Sequence, residues 1–535
     1  MISIVAYTNG LYGLSSTRYS PTLREKAKQT PGLHWQPEAR AWCGYADAVA
    51  ACAMQLEVDG IVVDGSVPHM WDFNLAKHKS KLDGLRDYQK AGVCFLIEQA
   101  VNGALLADDM GLGKTRQALH TISLLQKPAV VVCPSFVRGV WANEVKKWLP
   151  KYHLIQLAGT KPTDEEKDIR ANSPATIYLC HYDVVYAWVE SLKAAGVAIF
   201  IADECHFLMG ENSRRSKACK ELARNCDYRI GLSGTPMTSR PKDLWNVVDT
   251  LSENRFGNPF KFFLRYCDAH KVSIQTRDGS RVVWDLKGAS NLDELQERMK
   301  YFMLRRTKSE VQLELPPRTR QVVEVEVAKK LQGKIAEALK GDRAMRAALG
   351  NAADGKLPRV AELVLNHVES RSKVIVGCWR KAVAEAIAAL LRAEGISKTR
   401  VITGDESIKS RQATIEEQPD VICCTMASTS VGIDLSFADV GVVAELDYVP
   451  STLSQWESRL HRFGQKKNVL IQYVIALSTA DEIIRDVVIG KLAVFEKGIG
   501  KTDDKLRADL EGAKLTNVQQ LKSLYEKILK QESRP

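Results

Sequence analysis

Short, unbroken apolar runs alternate with helical segments twice along this chain. Between 85 and 250 the runs are GALLADD, AVVVC, ATIYLC, VAIFIAD and RIGLSG, each bounded by turn residues or by stretches with helical spacing. A strand that is apolar on both faces must be covered on both faces, and intervening helices supply the cover; the pattern predicts a parallel sheet between two helical layers. It returns over 373–475 in KVIVGC, RVIT, DVICCT, VGVVAEL and NVLIQYVI. The expected fold class is therefore α/β, with two parallel-sheet domains in tandem.

The 535 residues suffice for more than one hydrophobic core. Residues 1–80 read as a small α+β domain, with ISIVAY as a strand and PEARAWCGYADAVAACAMQL as a turn into a helix; HKSKLDG at 78–84 reads as a linker. The first α/β domain is expected over 85–320 with a charged insertion after 250, and the second over 321–480. A helical, charged tail is expected over 481–535. Within the insertion a hairpin is expected around Asp278-Gly279, and SNLDELQERMKYFMLRRTK, 290–308, reads as one helix. No stretch approaches 18 consecutive apolar residues and MISIVAYTNG lacks a basic n-region, so neither a membrane span nor a secretory signal is expected. The twelve cysteines form no CxxC pair, and Cys133, Cys180 and Cys423 sit inside apolar strands. That usage suits a reducing, cytoplasmic setting without structural zinc. The net charge of +11 permits an anionic partner such as nucleic acid without establishing one. A monomer is the default expectation.

The sharpest local signal is LLADDMGLGKTRQAL, 105–119. A strand runs into Asp109, Met110, Gly111, Leu112, Gly113, Lys114 and Thr115, and a helix follows. Glycines let backbone N–H groups close around phosphate oxygens, and a helix amino terminus adds a positive dipole. Lys114 would reach the β- and γ-phosphates of ATP, and Thr115 would ligate Mg²⁺. The strict pattern needs a glycine where Asp108 stands. The strand VAIFIAD ends in Asp203-Glu204-Cys205-His206; Asp203 can hold Mg²⁺, and Glu204 can orient and deprotonate water. The next strand ends in Leu232-Ser233-Gly234-Thr235-Pro236, where Ser233 and Thr235 are candidates for coupling nucleotide state to motion. STLSQWESRLHRFGQ, 451–465, reads as a helix capped by Ser451 or Thr452, with Gln455, Arg459 and Arg462 on one face.

With these motifs placed, residues 85–490 resemble the Swi/Snf-like branch of superfamily-two helicases. LRDYQKAGV is similar to that family's Q motif, with Gln89 on the adenine edge; DDMGLGKTRQ, DECH, LSGTP, SVGIDL and QWESRLHRFGQ are similar to motifs I, II, III, V and VI, and VVVCPSFVRGVWANEVKKW to motif Ia. TSRPKDLW, RYCDAH, MLRRTKSEV and AELDYVPSTLSQWESRLHR resemble the annealing-helicase, HARP-type subgroup, and PGLHWQPEARAW resembles its small amino-terminal domain. The resemblance implies two RecA-like domains, ATP and Mg²⁺ as cofactors, and an ATP site at the cleft between two lobes. It implies that Arg459 and Arg462 act in hydrolysis beside Glu204. Gly432, Asp434 and Gln455 would couple hydrolysis to movement. It also implies double-stranded or branched DNA as partner, with Ser135, Thr403 and Thr425 as candidate DNA contacts.

The expected function is an ATP-dependent double-stranded DNA translocase that remodels or reanneals branched or unwound DNA. The alternatives are a strand-separating DNA or RNA helicase, and a nucleotide-regulated DNA clamp. The basic stretch Arg298, Lys300, Arg305, Arg306 and Lys308 reads either as a DNA-lining face or as a solvated helix. Trp141 and Trp379 read as core.

Overall fold

The computed structural model describes residues 2–7, 11–67, 82–161, 163, 174–237, 240–276, 279–308, 310–311, 315–328, 342–429, 433–447, 449–462 and 464–499. The chain divides into two units, 1–311 with 494–501, and 312–493 with 502–535.

The first unit opens with a small sheet of β1 (Ile2–Ala6), β2 (Tyr12–Ser16), β3 (His34–Gln36), β4 (Ala41–Gly44) and β5 (Val63–Asp64), in the order β3-β4-β2-β1-β5. The helix Ala46–Val58 covers it, burying Val49, Cys52 and Leu56 with Leu14 and Leu33. A larger, wholly parallel sheet follows, built from β6 (Ala104–Leu106), β7 (Ala129–Cys133), β8 (His153–Gln156), β9 (Thr176–His181), β10 (Ile199–Asp203) and β11 (Tyr228–Leu232). The insertion forms a two-stranded antiparallel hairpin, β12 (His270–Thr276) and β13 (Gly279–Asp285), in which Thr276 pairs with Gly279. The hairpin expected around Asp278-Gly279 is thus present; Arg277 and Asp278 lie outside the described residues.

The expected helix over 290–308 is shorter. It spans Leu292–Met299, and the chain then re-enters the large sheet as β14 (Met303–Leu304), parallel to β6. Met299, Phe302, Met303 and Leu304 are all buried. Four apolar residues within six cannot share one helical face, and a strand disposes of the excess. The complete order is β14-β6-β11-β10-β7-β9-β8.

The second unit is a six-stranded parallel sheet of β15 (Arg318–Val325), β16 (Val374–Cys378), β17 (Thr399–Ile402), β18 (Val421–Thr425), β19 (Val440–Val443) and β20 (Val469–Ala476), ordered β15-β20-β19-β16-β18-β17. Both large sheets are RecA-like, with separate apolar cores on their two faces. β15 pairs with β20 over its whole length, so the expected boundary at 320/321 falls inside a strand. The helix Ala480–Ile499 contributes Ile483, Ile484, Val487 and Val488 to the second unit's core.

The helix expected over 451–465 spans Pro450–Leu460, with Val449 at the cap and the proline in the first turn. Proline suits that position because its missing N–H would be unpaired there anyway. Leu453, Trp456 and Leu460 anchor its inner face, and the chain leaves the helix at His461. Arg462 therefore does not share a helical face with Gln455 and Arg459.

Candidate active site

Strand register assembles the site. β10, β11 and β6 are neighbours; Asp203 pairs with Leu232, and Leu232 with Leu106. Three segments far apart in sequence leave the sheet side by side, after Leu106, Asp203 and Leu232. This carboxyl edge is where open α/β sheets take their ligands.

The first segment is the glycine turn. Gly111 and Gly113 have φ of +88° and +76°, a region that β-carbons disfavour. A Cβ on Gly113 would also lie 2.5 Å from Nε2 of Gln89. Gly113 caps the helix Lys114–Leu125, so the first N–H groups of that helix face the turn. Thr115, in that first turn, is half-buried. The Lys114 ammonium donates to the carbonyls of Asp108 (2.7 Å) and Asp109 (3.4 Å). Gln89 is buried; its Nε2 donates to the Leu112 carbonyl at 3.3 Å, and its Oε1 accepts from the Arg86 N–H at 3.2 Å. It thereby pins the helix Asp87–Gln99 to the turn.

The departure from the strict glycine pattern has a physical cause. Asp108 is fully buried, and Arg306 clamps it from two sides, Nε to Oδ1 at 2.9 Å and Nη2 to Oδ2 at 2.5 Å; Gln117 donates to Oδ2 at 3.1 Å. Asp109 accepts from Arg305 at 3.3 Å and from the Lys308 N–H at 3.4 Å. Arg305 also donates to the carbonyls of Ala107 and Gly234, both at 3.1 Å. Two residues read from sequence as DNA-lining or solvated are neither: they brace the turn and link it to the segment after β11. Arg298 is likewise buried, bound to Asp47. Met110 and Lys114 border Gly234, where a Cβ would lie 3.0 Å from Met110 Cγ and 3.5 Å from Lys114 Nζ.

Asp203 ends β10, buried. Its Oδ2 accepts from the Trp141 indole at 2.7 Å and its Oδ1 from the Glu204 N–H at 3.0 Å. Burial, then the neighbouring Glu204 charge, push its carboxyl above the usual range; the Trp141 bond and the Lys114 charge oppose this. Trp141 is thus more than core filling, because its N–H orients a site carboxylate. Glu204 adopts φ +48°, a conformation costing about 1 kcal/mol or more and typical of functional positions. Its Oε2 lies 3.2 Å from His206 Nδ1 and accepts from Ser233 Oγ at 3.4 Å. His206 Nδ1 is also 3.2 Å from Ser233 Oγ, which accepts the Thr235 N–H at 3.1 Å. The Thr235 hydroxyl is buried with no partner among the described residues. Ser135, beyond the end of β7, is exposed.

In the second unit, Thr403 and Thr425 stand at the carboxyl ends of the adjacent strands β17 and β18. Thr403 is buried, with its N–H and hydroxyl on Glu406; the Thr425 hydroxyl donates to Ser428 at 2.9 Å. Arg462 lies 3.8 Å from Asp434, both partly exposed. The Arg459 carbonyl accepts from Leu435 N–H, and the Gln455 carbonyl from Ser458. Gly432 lies outside the described residues.

Among the described residues, no group of three or more His, Cys, Asp or Glu side chains could cage a metal. Mg²⁺ needs no such cage, since it is held by one or two protein oxygens plus phosphates and water. A buried carboxylate whose charge is costly in the bare protein fits a cation, and Asp203 is such a group.

A glycine turn after one strand, an Asp-Glu pair after its near neighbour and a second parallel sheet define a tandem phosphate-loop core of the helicase type. The chain belongs to the SNF2-related family: the model of the SNF2-related domain matches residues 88–355, and that of the helicase conserved C-terminal domain matches 355–464. It is 32% identical to "SWI/SNF-related matrix-associated actin-dependent regulator of chromatin subfamily A-like protein 1" of Xenopus tropicalis, over 79% of this chain and 46% of that protein. It is 29% identical to "DNA annealing helicase and endonuclease ZRANB3" of Homo sapiens, over 80% of this chain and 42% of that protein. The chain thus spans less than half the length of these two relatives. A solved "Sulfolobus solfataricus SWI2/SNF2 ATPase core in complex with dsDNA" is 20% identical, covering 83% of this chain and 97% of that one with a TM-score of 0.39. The fold assignment rests on the strand order and not on that superposition. No helix among the described residues is long and apolar enough to cross a membrane.

Proposed function

We propose that this protein is a DNA-dependent ATPase that tracks along double-stranded DNA and remodels or reanneals branched or unwound DNA. The observation that carries the reading is the alignment of the glycine turn, Asp203-Glu204 and Ser233 at three adjacent strand ends. That convergence suits phosphoryl transfer to water. The turn's N–H groups and Lys114 take the phosphate charge, and Thr115 with Asp203 would hold Mg²⁺, which neutralises charge on the phosphates. Glu204 orients water and accepts its proton. His206 and Ser233 fix the Glu204 carboxylate and connect it to Thr235, so loss of the γ-phosphate is felt in the segment after β11. Relatives described as annealing helicases and regulators of chromatin support DNA as the polymer acted on. Binding through phosphates would be salt-sensitive and poor in sequence preference.

The test is ATP turnover with duplex DNA, a model fork, single-stranded DNA and RNA. Duplex or fork is expected to stimulate most. Glu204→Gln is expected to bind ATP normally while turnover falls at least about 100-fold. Stimulation by single strands or RNA alone would replace this reading with a strand-separating helicase. Unchanged turnover in Glu204→Gln would remove the site assignment.

A further inference from the structure

Four exposed large apolar side chains gather on the insertion after residue 258. The helix Pro259–Tyr266 turns Phe262, Phe263 and Tyr266 into the core. Its outer side leaves Phe260 39% and Leu264 48% exposed. On the hairpin, Val282 is 63% and Trp284 41% exposed. Trp284 meets Phe260 edge to face, with centroids 4.8 Å apart and planes at 81°. Val282 and Trp284 alternate onto one face of β13, and Lys271 and Ser273 stand opposite them on β12. The Lys271 ammonium lies 5.6 Å from the Trp284 ring centroid. Lys261 and Lys271 are exposed, and among the described residues neither is in an ion pair; Arg281 alternates onto the other face of β13. Two carboxylates are near, and neither forms an ion pair with these lysines: Asp285, on the other face of β13, accepts the Lys287 N–H, and exposed Asp268 lies before β12.

An exposed aromatic pair with unpaired cations around it has one chemically matched occupant. Flat, uncharged faces beside a polyanionic backbone are what unpaired nucleotides present. In an intact duplex the base faces are stacked on one another and unavailable to Trp284. An apolar protein segment would satisfy the rings and leave the two lysines without counter-charge. We infer that the outer face of the helix Pro259–Tyr266 with the Trp284 face of β12 and β13 is a second nucleic-acid contact, separate from the ATP site, which takes unpaired nucleotides at a fork or gap by stacking on Trp284 and Phe260 and by phosphate contacts to Lys261 and Lys271. It deepens the DNA reading above by giving the protein a means to distinguish a branch from plain duplex.

The experiment is fluorescence anisotropy of the full chain, without ATP, on a labelled fork, a single strand and a blunt duplex across a salt series. Trp284→Ala is expected to weaken fork and single-strand binding about tenfold and to leave duplex binding within about twofold. Lys261→Ala with Lys271→Ala is expected to lower the single-strand salt slope by roughly 1.4. Trp284→Phe keeps a stacking ring and is expected to retain most of the affinity, so it serves if Trp284→Ala melts early. Folded Trp284→Ala that binds all three ligands as the native chain does would overturn the assignment. So would an equal loss on all three, or a loss confined to the charge variant, which would mean phosphate contact without stacking on Trp284. Because no nucleotide is present, a chain that binds forks through Trp284 without DNA-stimulated turnover would refute the motor reading and leave this one intact.

Discussion

Asp108 and Arg306 show how a departure from a motif can carry information. A glycine at 108 would need no partner; the aspartate there is fully buried and needs one, which Arg306 provides. Removing one member of a buried pair strands the other and costs about 3–5 kcal/mol. Arg306→Ala is therefore expected to melt early, with Asp108→Gly in the same chain recovering most of the loss; a double-mutant cycle in denaturant checks this. Simple additivity of the two would show that the pair does not act as a unit. Trp141 gives a pH-dependent test. Its indole stabilises the charged form of Asp203, whose carboxyl burial already pushes up. Trp141→Phe should raise it further, so protons compete better with Mg²⁺. The Mg²⁺ concentration for half-maximal turnover is expected to rise several-fold at pH 6 and little at pH 8, where the carboxylate is ionised in both proteins. An equal effect at both values would mean that Trp141 acts through packing alone. Lys114 and Glu204 were legible because each sits at a strand end in a recognised order. Arg305, Arg306 and Trp141 were not, since a basic run and an amphipathic helix look alike whether or not their tips reach a site.

At the scale of elements, unbroken apolar runs identified most strands of both large sheets, because a strand buried on both faces has no polar alternation to blur. β15 escaped notice for the opposite reason. It is the edge of its sheet and alternates, RTRQVVEV, with much of it half-exposed. Its place is secured by charge: Glu457, buried on the helix Pro450–Leu460, accepts from Arg318 (3.1 Å) and Arg320 (2.9 Å) and from the Tyr473 hydroxyl. Glu457→Ala leaves Arg320 buried and uncompensated, and is expected to cost about 3 kcal/mol. Hydrogen exchange of β15 should rise with it; an unchanged edge strand would mean that main-chain pairing to β20 holds β15 alone. The end of that same helix was misplaced because Arg459 to Gln465 continue a helix-forming composition. The stop at His461 follows from tertiary bonds, Leu435 N–H to the Arg459 carbonyl and the His461 ring to the Pro316 carbonyl at 2.8 Å.

At the scale of the molecule, the amino-terminal sheet is fastened to the first large sheet. Asp47 is fully buried and binds Arg255 at 2.7 Å and Arg298 at 2.7 and 2.9 Å. Gly32 lies against the Arg255 carbonyl, where a Cβ would come within 2.1 Å. Asp47→Ala removes the shared counter-charge of two buried guanidinium groups and is expected to cost about 3–5 kcal/mol. The measurement is thermal melting alongside limited proteolysis of 1–67; an unchanged melt with early release of that segment would show that the two sheets are energetically independent. The helix after Asn291 that carries Arg298 leads through β14 to Arg305 and Arg306, so this docking lies on a short covalent path to the glycine turn. The sequence by itself determined the class of fold, the order of the motifs and which side chains are candidates for an ATP site, because burial periodicity and glycine conformation are local properties of the chain. The tertiary structure alone decided which strand ends stand together, what Asp108 is paired with and where three of the basic residues point. Those depend on strand register and on buried charges finding partners up to 251 residues away.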